Sequence, residues 1–246
     1  MHGVRIAAVI PAWNEARGIG ELIAAVAASA SPVGIIVGDC ASDDGTQKEA
    51  EQAGATVVDT PPPASRAAAL NVGVEYALSR FADVQAIWIV HADVTPPADA
   101  GSHVRETLSH EMRVGGAFRF AFDTRGLQTP ARIKLGVVTL LNRLRYRLTG
   151  VYFGDQGIFF KASAWQRVGP LPEWPLMEDA ELSRRLARLG KLTLVPVPMF
   201  VSPRRFLRHG PLRQLAIDMT LITLHRLGVP PSRLSRIAAW YNREKS

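Results

Sequence analysis

The chain of 246 residues has a single cysteine, Cys40. No internal disulfide can form and a multi-cysteine zinc site is excluded; such a chain suits a reducing compartment. Long apolar runs are also missing. No stretch reaches the ~18 apolar residues that a bilayer-spanning helix needs, because Lys134 and Asn142 interrupt one candidate and Asp218 the other. The pattern of a secretory leader is absent: Val4 to Ile10 is apolar, but Arg5 breaks it and Pro11-Ala12-Trp13-Asn14-Glu15 follows without a small-residue cleavage site. The expected location is therefore the cytoplasm. The glycine-rich dinucleotide fingerprint is lacking as well. The first apolar run leads into Pro-Ala-Trp-Asn-Glu, and Gly18-Ile19-Gly20 has no third glycine in register, which argues against an oxidoreductase. A nucleotidyltransferase, the nearer rival, would want a glycine-rich, Lys- or Arg-bearing first loop, and that too is absent.

What is present is unevenly spread. Hydrophobic residues make up 47% and charged residues 21%, a globular profile. The net charge of +7 conceals a division: residues 1–130 hold 9 Lys+Arg against 15 Asp+Glu, and residues 131–246 hold 20 against 7. An acidic half fits a cation, and a basic half fits an anionic diphosphate or a membrane surface. Solvated arginines would account for much of the same bias, and a non-catalytic nucleic-acid or membrane binder is the reading of a different class.

The first hundred residues alternate strand and helix patterns. Arg5–Ile10, Gly34–Gly38, Ala55–Val58 and Ala86–Val90 read as strands. Ala16–Ala28, Gly45–Ala53 and Arg66–Ser79 read as helices, the last capped by Ser65. This alternation predicts a parallel sheet with helices on both faces and a ligand site beyond the carboxyl ends of its strands. The residues there are Pro11 to Glu15, Asp39 to Asp44, Thr60 to Arg66 and His91 to Asp93. Further on, Val114–Phe122 alternates as a half-buried strand. Ala131–Leu148 repeats Ile133, Val137, Leu140, Leu141, Leu144 and Leu148 at helical spacing. Gly157–Phe160 and Leu192–Val197 read as strands, and Met177–Leu189 and Pro211–Leu227 as helices.

Several segments carry a resemblance together. Ile10-Pro11-Ala12-Trp13-Asn14-Glu15 closes the first strand, and Asp39 followed by Ser42-Asp43-Asp44-Gly45-Thr46 closes the second. Arg66 with Asn71 and Gly73 opens a helix, and Met177-Glu178-Asp179 opens another. In these segments the chain resembles the inverting family 2 glycosyltransferases over roughly residues 5–210. The family usually has Asp-x-Asp after the fourth strand. Here His91-Ala92-Asp93 stands there, and this form and the short length resemble the branch found beside radical-SAM and selenium-domain proteins.

The resemblance implies a GT-A fold: an α/β domain with a mostly parallel Rossmann-like sheet flanked by helices, and a small antiparallel portion in the acceptor half. It implies one domain over 1–246, with a nucleotide-sugar-binding half (1–100), an acceptor and catalytic half (101–210) and a helical extension (211–246). The donor, a UDP- or GDP-sugar, would be held by Pro11, Asn14, Glu15, Asp39, Ser42, Asp44, Arg66, Asn71, His91, Arg204 and Arg205. A divalent cation, Mn²⁺ or Mg²⁺, would sit on Asp93, with His91 as a second ligand or a ribose contact; His209 is a weaker metal candidate. Asp179, beside Glu178 in the first turn of its helix, would be the general base. Asp155, Gln156 and Trp174 would line the acceptor site. No nucleic-acid partner is expected. The acceptor is unnamed, and the helix 211–227 is a candidate for peripheral membrane contact.

Overall fold

The computed structural model describes residues 3–243. An eight-stranded sheet runs through the molecule in the order β3-β2-β1-β4-β7-β6-β8-β5. Its first half is parallel: β1 (Ile6–Ala12) lies between β2 (Gly34–Asp39) and β4 (Ala86–Ile89), and β3 (Thr56–Asp59) borders β2. All seven residues of β1 are buried, as expected for a central parallel strand covered on both faces. The helices α1 (Ile19–Ala30), α2 (Thr46–Gln52) and α3 (Arg66–Arg80) connect these strands. Ser65 caps α3 by accepting from the Ala68 N–H at 3.1 Å, as the sequence predicts.

Beyond β4 the sheet becomes mixed. A two-residue strand β5 (Val94–Thr95) and helix α4 (Ala100–Ser109) lead to β6 (Arg113–Phe122). Strand β7 (Phe159–Lys161) pairs antiparallel with both β4 and β6, and β8 (Lys191–Val201) pairs parallel with β6. The expectation of a half-buried strand over 114–122 is corrected at its start. Gly115 to Phe118 are buried on both faces, because helices pack on both sides of the strand here, and no Cβ fits at Gly115 or Gly116, where one would lie 2.4 Å from a carbonyl oxygen of β7 or β8. Phe118, Phe120 and Phe122 do share an inward face.

The rest of the second half is helical: α5 (Thr129–Thr149), α6 (Ala162–Val168), α7 (Glu178–Leu189), α8 (Arg204–His209), α9 (Pro211–Arg226) and α10 (Pro231–Arg243). Helix α9 buries Gln214, Leu215, Ile217 and Leu221 against the protein itself, so its apolar residues serve mostly a second small core that includes Met177, Ala180 and Leu234. Among the described residues no helix is long and apolar enough to cross a membrane.

Candidate active site

The carboxyl ends of β1, β2 and β4 open into a cleft of about 490 Å³ lined by Pro11, Trp13, Glu15, Cys40, Arg66, His91 and Asp93 among others. Behind it lies a second cavity of about 270 Å³ that shares Arg66, His91 and Asp93 and adds Arg145, Asp155, Asp179, Arg205 and Asp218 with an apolar wall. These three shared residues form the junction between the two spaces.

The loops after β1 and β2 are fastened together by the side chains that the motifs specify. Asn14 N–H donates to Ser42 Oγ at 2.9 Å, and Asp43 N–H donates to Asn14 Oδ1 at 3.1 Å. Glu15 N–H donates to Thr46 Oγ1 at 2.8 Å, and Ala16 N–H to Asp44 Oδ2 at 3.0 Å. Asn14 adopts the left-handed conformation (φ 54°), which an asparagine tolerates better than most residues. Asp39 is fully buried and accepts from Ser42 N–H (2.9 Å), Ser42 Oγ (2.6 Å) and Gln47 Nε2 (2.8 Å). Asn14, Ser42 and Asp44 thus hold the loops of the cleft without lining it, and of the donor residues expected in these two loops only Pro11 and Glu15 line it. Asn71 faces elsewhere: it exchanges two hydrogen bonds with the backbone of Leu171, at 2.9 and 2.8 Å, and ties α3 to the loop before α7.

The junction is charged and tightly coupled. Glu178 is 1% exposed and pairs with the Arg66 guanidinium. Burial and the neighbouring Asp179 raise the Glu178 carboxyl, and Arg66 opposes them. Met177 takes the left-handed conformation (φ 73°) just before α7, and the chain then sends Glu178 to Arg66 and Asp179 to the second cavity. Asp179 Oδ2 accepts from the Gly154 N–H at 2.9 Å. A side chain at residue 154 would strike His91, since a Cβ there would lie 2.0 Å from its Nε2. His91 is buried, and burial together with Arg66 pushes its pKa down to about 3, so its ring is neutral. Its Nε2 has no hydrogen-bond partner. Asp155 is pushed up to about 7 by burial and by the charge of Asp93, against the pull of Arg145.

The structure separates the predicted acceptor residues. Asp155 lines the second cavity. Gln156 is fully buried and uses both ends of its amide on the backbone of Phe153 and Phe118, at 3.2 and 3.1 Å, without reaching that cavity. Trp174 stacks edge-on with His225, 5.9 Å between centroids, in a side cavity that adjoins the second one across Arg145, Phe153, Met177 and Ile222. Arg205 reaches the second cavity and pairs with Asp218 at 3.2 Å; Arg204 stands 3.9 Å from Glu15 at the outer rim. His209 ends α8 and belongs to no cluster: among the described residues no group of three His, Cys, Asp or Glu side chains is preassembled for a metal.

Three lining residues were missed by sequence reasoning. Trp13 is 66% exposed in the first cleft, and an unburied tryptophan directly after a buried strand was the available signal. Arg145 is 7% exposed, stacks over Phe153 at 4.2 Å and faces Asp155 and Asp179. Asp218, the one carboxylate of α9, meets Arg205 and Gln214. Both stand as charges on helical positions that turn inward.

A consequence for stability follows from Asp155. Its folded-state pKa of about 7 lies above the ordinary value of 3.8, so the folded protein holds this proton more tightly than the unfolded chain does. Stability is therefore lost as pH rises toward 7 and stays lost above it. Asp155→Asn removes the charge, and its melting temperature should exceed wild type by several degrees at pH 8, the gain being at most about 4 kcal/mol, with a much smaller gain at pH 5. Scanning calorimetry at the two pH values checks this; an equal gain at both would mean that the carboxylate is not strained.

A parallel sheet continued by a mixed second half, with acidic groups at the strand ends, defines a GT-A glycosyltransferase fold. The chain belongs to glycosyl transferase family 2, whose sequence model matches residues 7–168. No curated protein sequence matches it significantly. Among solved structures, a glucosyl-3-phosphoglycerate synthase from Mycobacterium tuberculosis in complex with Mn²⁺, UDP and glucosyl-3-phosphoglycerate is similar, with a TM-score of 0.63 at 20% identity over 93% of this chain and 81% of that one. A mannosyltransferase from Pyrobaculum calidifontis in complex with GDP-mannose and Mn²⁺ is similar with a TM-score of 0.65 at 18% identity, over 99% of this chain and 71% of that one. At these identities the likeness establishes the fold.

Proposed function

We propose that the protein is a metal-dependent inverting glycosyltransferase that moves a sugar from a nucleoside-diphosphate sugar to an acceptor hydroxyl. The observation that carries this is the junction: Arg66, His91 and Asp93 line both the cleft at the strand ends and the cavity that holds Asp179. A donor in the first space would present its anomeric carbon to an acceptor in the second. The solved complexes of the two similar enzymes hold UDP in one and GDP-mannose in the other, each with Mn²⁺, which supports the same donor class here. The His91-Ala92-Asp93 form supports placing the chain in the radical-SAM- and selenium-domain-associated branch.

The residues fit a divalent cation. Asp93 is an exposed carboxylate at the junction, and the neutral His91 lies beside it with its Nε2 buried against Gly154. A single carboxylate suits a hard ion that takes its remaining oxygens from substrate phosphates and water. When bound, the ion supplies neutralisation of the charge that builds on the departing diphosphate. Arg66 adds a fixed positive charge at the same place, and Trp13 offers an aromatic face at the cleft. Asp179 takes the proton of the acceptor hydroxyl as that oxygen attacks from the side opposite the diphosphate, which inverts the anomeric centre.

Thermal-shift measurement against UDP-, GDP- and dTDP-sugars, each with and without Mn²⁺, tests the reading. One nucleotide with metal at 100 times its Kd should raise the melting temperature by about 5–10 °C. No shift with any pair, for protein that is folded, would bring the non-catalytic reading forward.

A further inference from the structure

Helix α5 is amphipathic in an inverted sense. Its inner side carries the few residues it buries, Leu135, Val138, Arg145 and Tyr146. Its outer side carries Ile133, Val137, Leu140, Leu141, Leu144 and Leu148, which are 63, 43, 64, 41, 51 and 76% exposed. At 3.6 residues per turn these six side chains fall within an arc of about 100°, an unbroken apolar stripe along the 21-residue helix. Arg132, Arg143 and Arg147 border the stripe on one side and Lys134 on the other. No Asp or Glu occurs between residues 124 and 154.

Leaving such a stripe in water is unfavourable, and a monomer rarely exposes a contiguous apolar patch of this kind without a partner. The charge pattern selects the partner. In a symmetric dimer built on this face the same cations would confront one another with no carboxylate in the segment to offset them. An anionic bilayer meets both demands: acyl chains receive the stripe and acidic headgroups meet the basic border. The internal cations keep α5 from spanning the bilayer, so it would lie in the interface.

We propose that the outer face of α5 docks the protein on an anionic lipid surface. The inner side of the same helix contributes Asn142 and Arg145 to the second cavity, so docking holds that cavity about one helix diameter, ~10 Å, from the headgroups. The inference stands independently of the transfer reaction and moves the expected membrane contact from α9, which the protein covers itself, to α5.

Flotation of the full-length protein with vesicles of phosphatidylcholine containing 30% phosphatidylserine, against pure phosphatidylcholine vesicles, tests it. Wild type should float with the anionic vesicles and return to the bottom fraction in 0.5 M salt. Leu140→Glu with Leu144→Glu alters only exposed side chains, so its melting curve should match wild type while binding falls at least 10-fold. Arg132→Glu with Arg147→Glu should lose binding by a similar factor, since each basic residue near such a surface strengthens binding about five-fold. Wild type remaining at the bottom, or floating undiminished by the leucine substitutions, overturns the proposal. A concentration-dependent dimer that the leucine substitutions dissociate, without flotation, overturns it in favour of a self-interface.

Discussion

Asp179→Asn should lower the rate of sugar transfer by about 10²–10⁴-fold and leave the stabilisation by donor and metal intact. Asparagine has the shape of aspartate, and its carbonyl oxygen can still accept the Gly154 N–H that Asp179 Oδ2 accepts at 2.9 Å. It has no capacity to take up a proton at neutral pH. The substitution thus removes the base and the second acceptor, Oδ1, which takes the Ala180 N–H at 2.7 Å, while keeping the position of Gly154 under His91. The competing base is Asp155, which lines the same cavity and whose pKa of about 7 suits proton transfer near neutrality. Comparing the two asparagine variants by steady-state rates decides between them. A near wild-type rate for Asp179→Asn with a collapse for Asp155→Asn would transfer the role to Asp155. Loss of donor binding in Asp179→Asn would show that the residue organises the junction and does no proton transfer.

The parallel half of the sheet was legible because its strands are short apolar runs bounded by turn residues, and burial on both faces demands that composition. Strand β5 and helix α4 were not. The stretch Ala100–Ser109 buries only Ala100, Gly101, Val104, Thr107 and Leu108, so small residues replace the usual apolar stripe. Helix α5 shows the converse. Its periodicity identifies the helix correctly, yet periodicity reports that one face is apolar and says nothing of what covers it. The site divides along a similar line. The motifs locate the two loops at the strand ends, but Asn14, Ser42 and Asp44 are there to bind one loop to the other. A side chain that fastens a binding loop and one that touches a ligand leave the same mark on a sequence. Arg145 and Asp218 come from helices far apart in the chain, and only the packing of α9 on α5 reveals that they share a cavity.

Arg66→Met should be the most destabilising single change at the site. Glu178 is 1% exposed, its Oε2 has no partner, and its Oε1 accepts from Arg66. Methionine fills a similar volume but leaves that carboxylate buried beside Asp179 with its countercharge removed. Breaking a buried pair in this way costs about 3 kcal/mol, here at the low end of the usual range because Arg66 itself is 43% exposed. The melting temperature should fall by roughly 6–12 °C. The deficit depends on pH with a definite sign. Burial and Asp179 already raise the Glu178 carboxyl, and losing Arg66 raises it further. A raised folded-state pKa means stability that is present at low pH and lost as pH rises through it, so the variant should approach wild type at pH 5 and fall furthest behind at pH 8. Adding Glu178→Gln removes the stranded charge and should recover most of the loss, whereas donor affinity, which needs the Arg66 cation in the cleft, should stay low in both variants. Calorimetry across pH with donor titration separates the two effects. A single variant as stable as wild type, or a double variant no better than the single, would show that Glu178 does not depend on Arg66. Recovery of donor binding in the double variant would show instead that Arg66 serves the cleft only by holding Glu178 and the start of α7 in place.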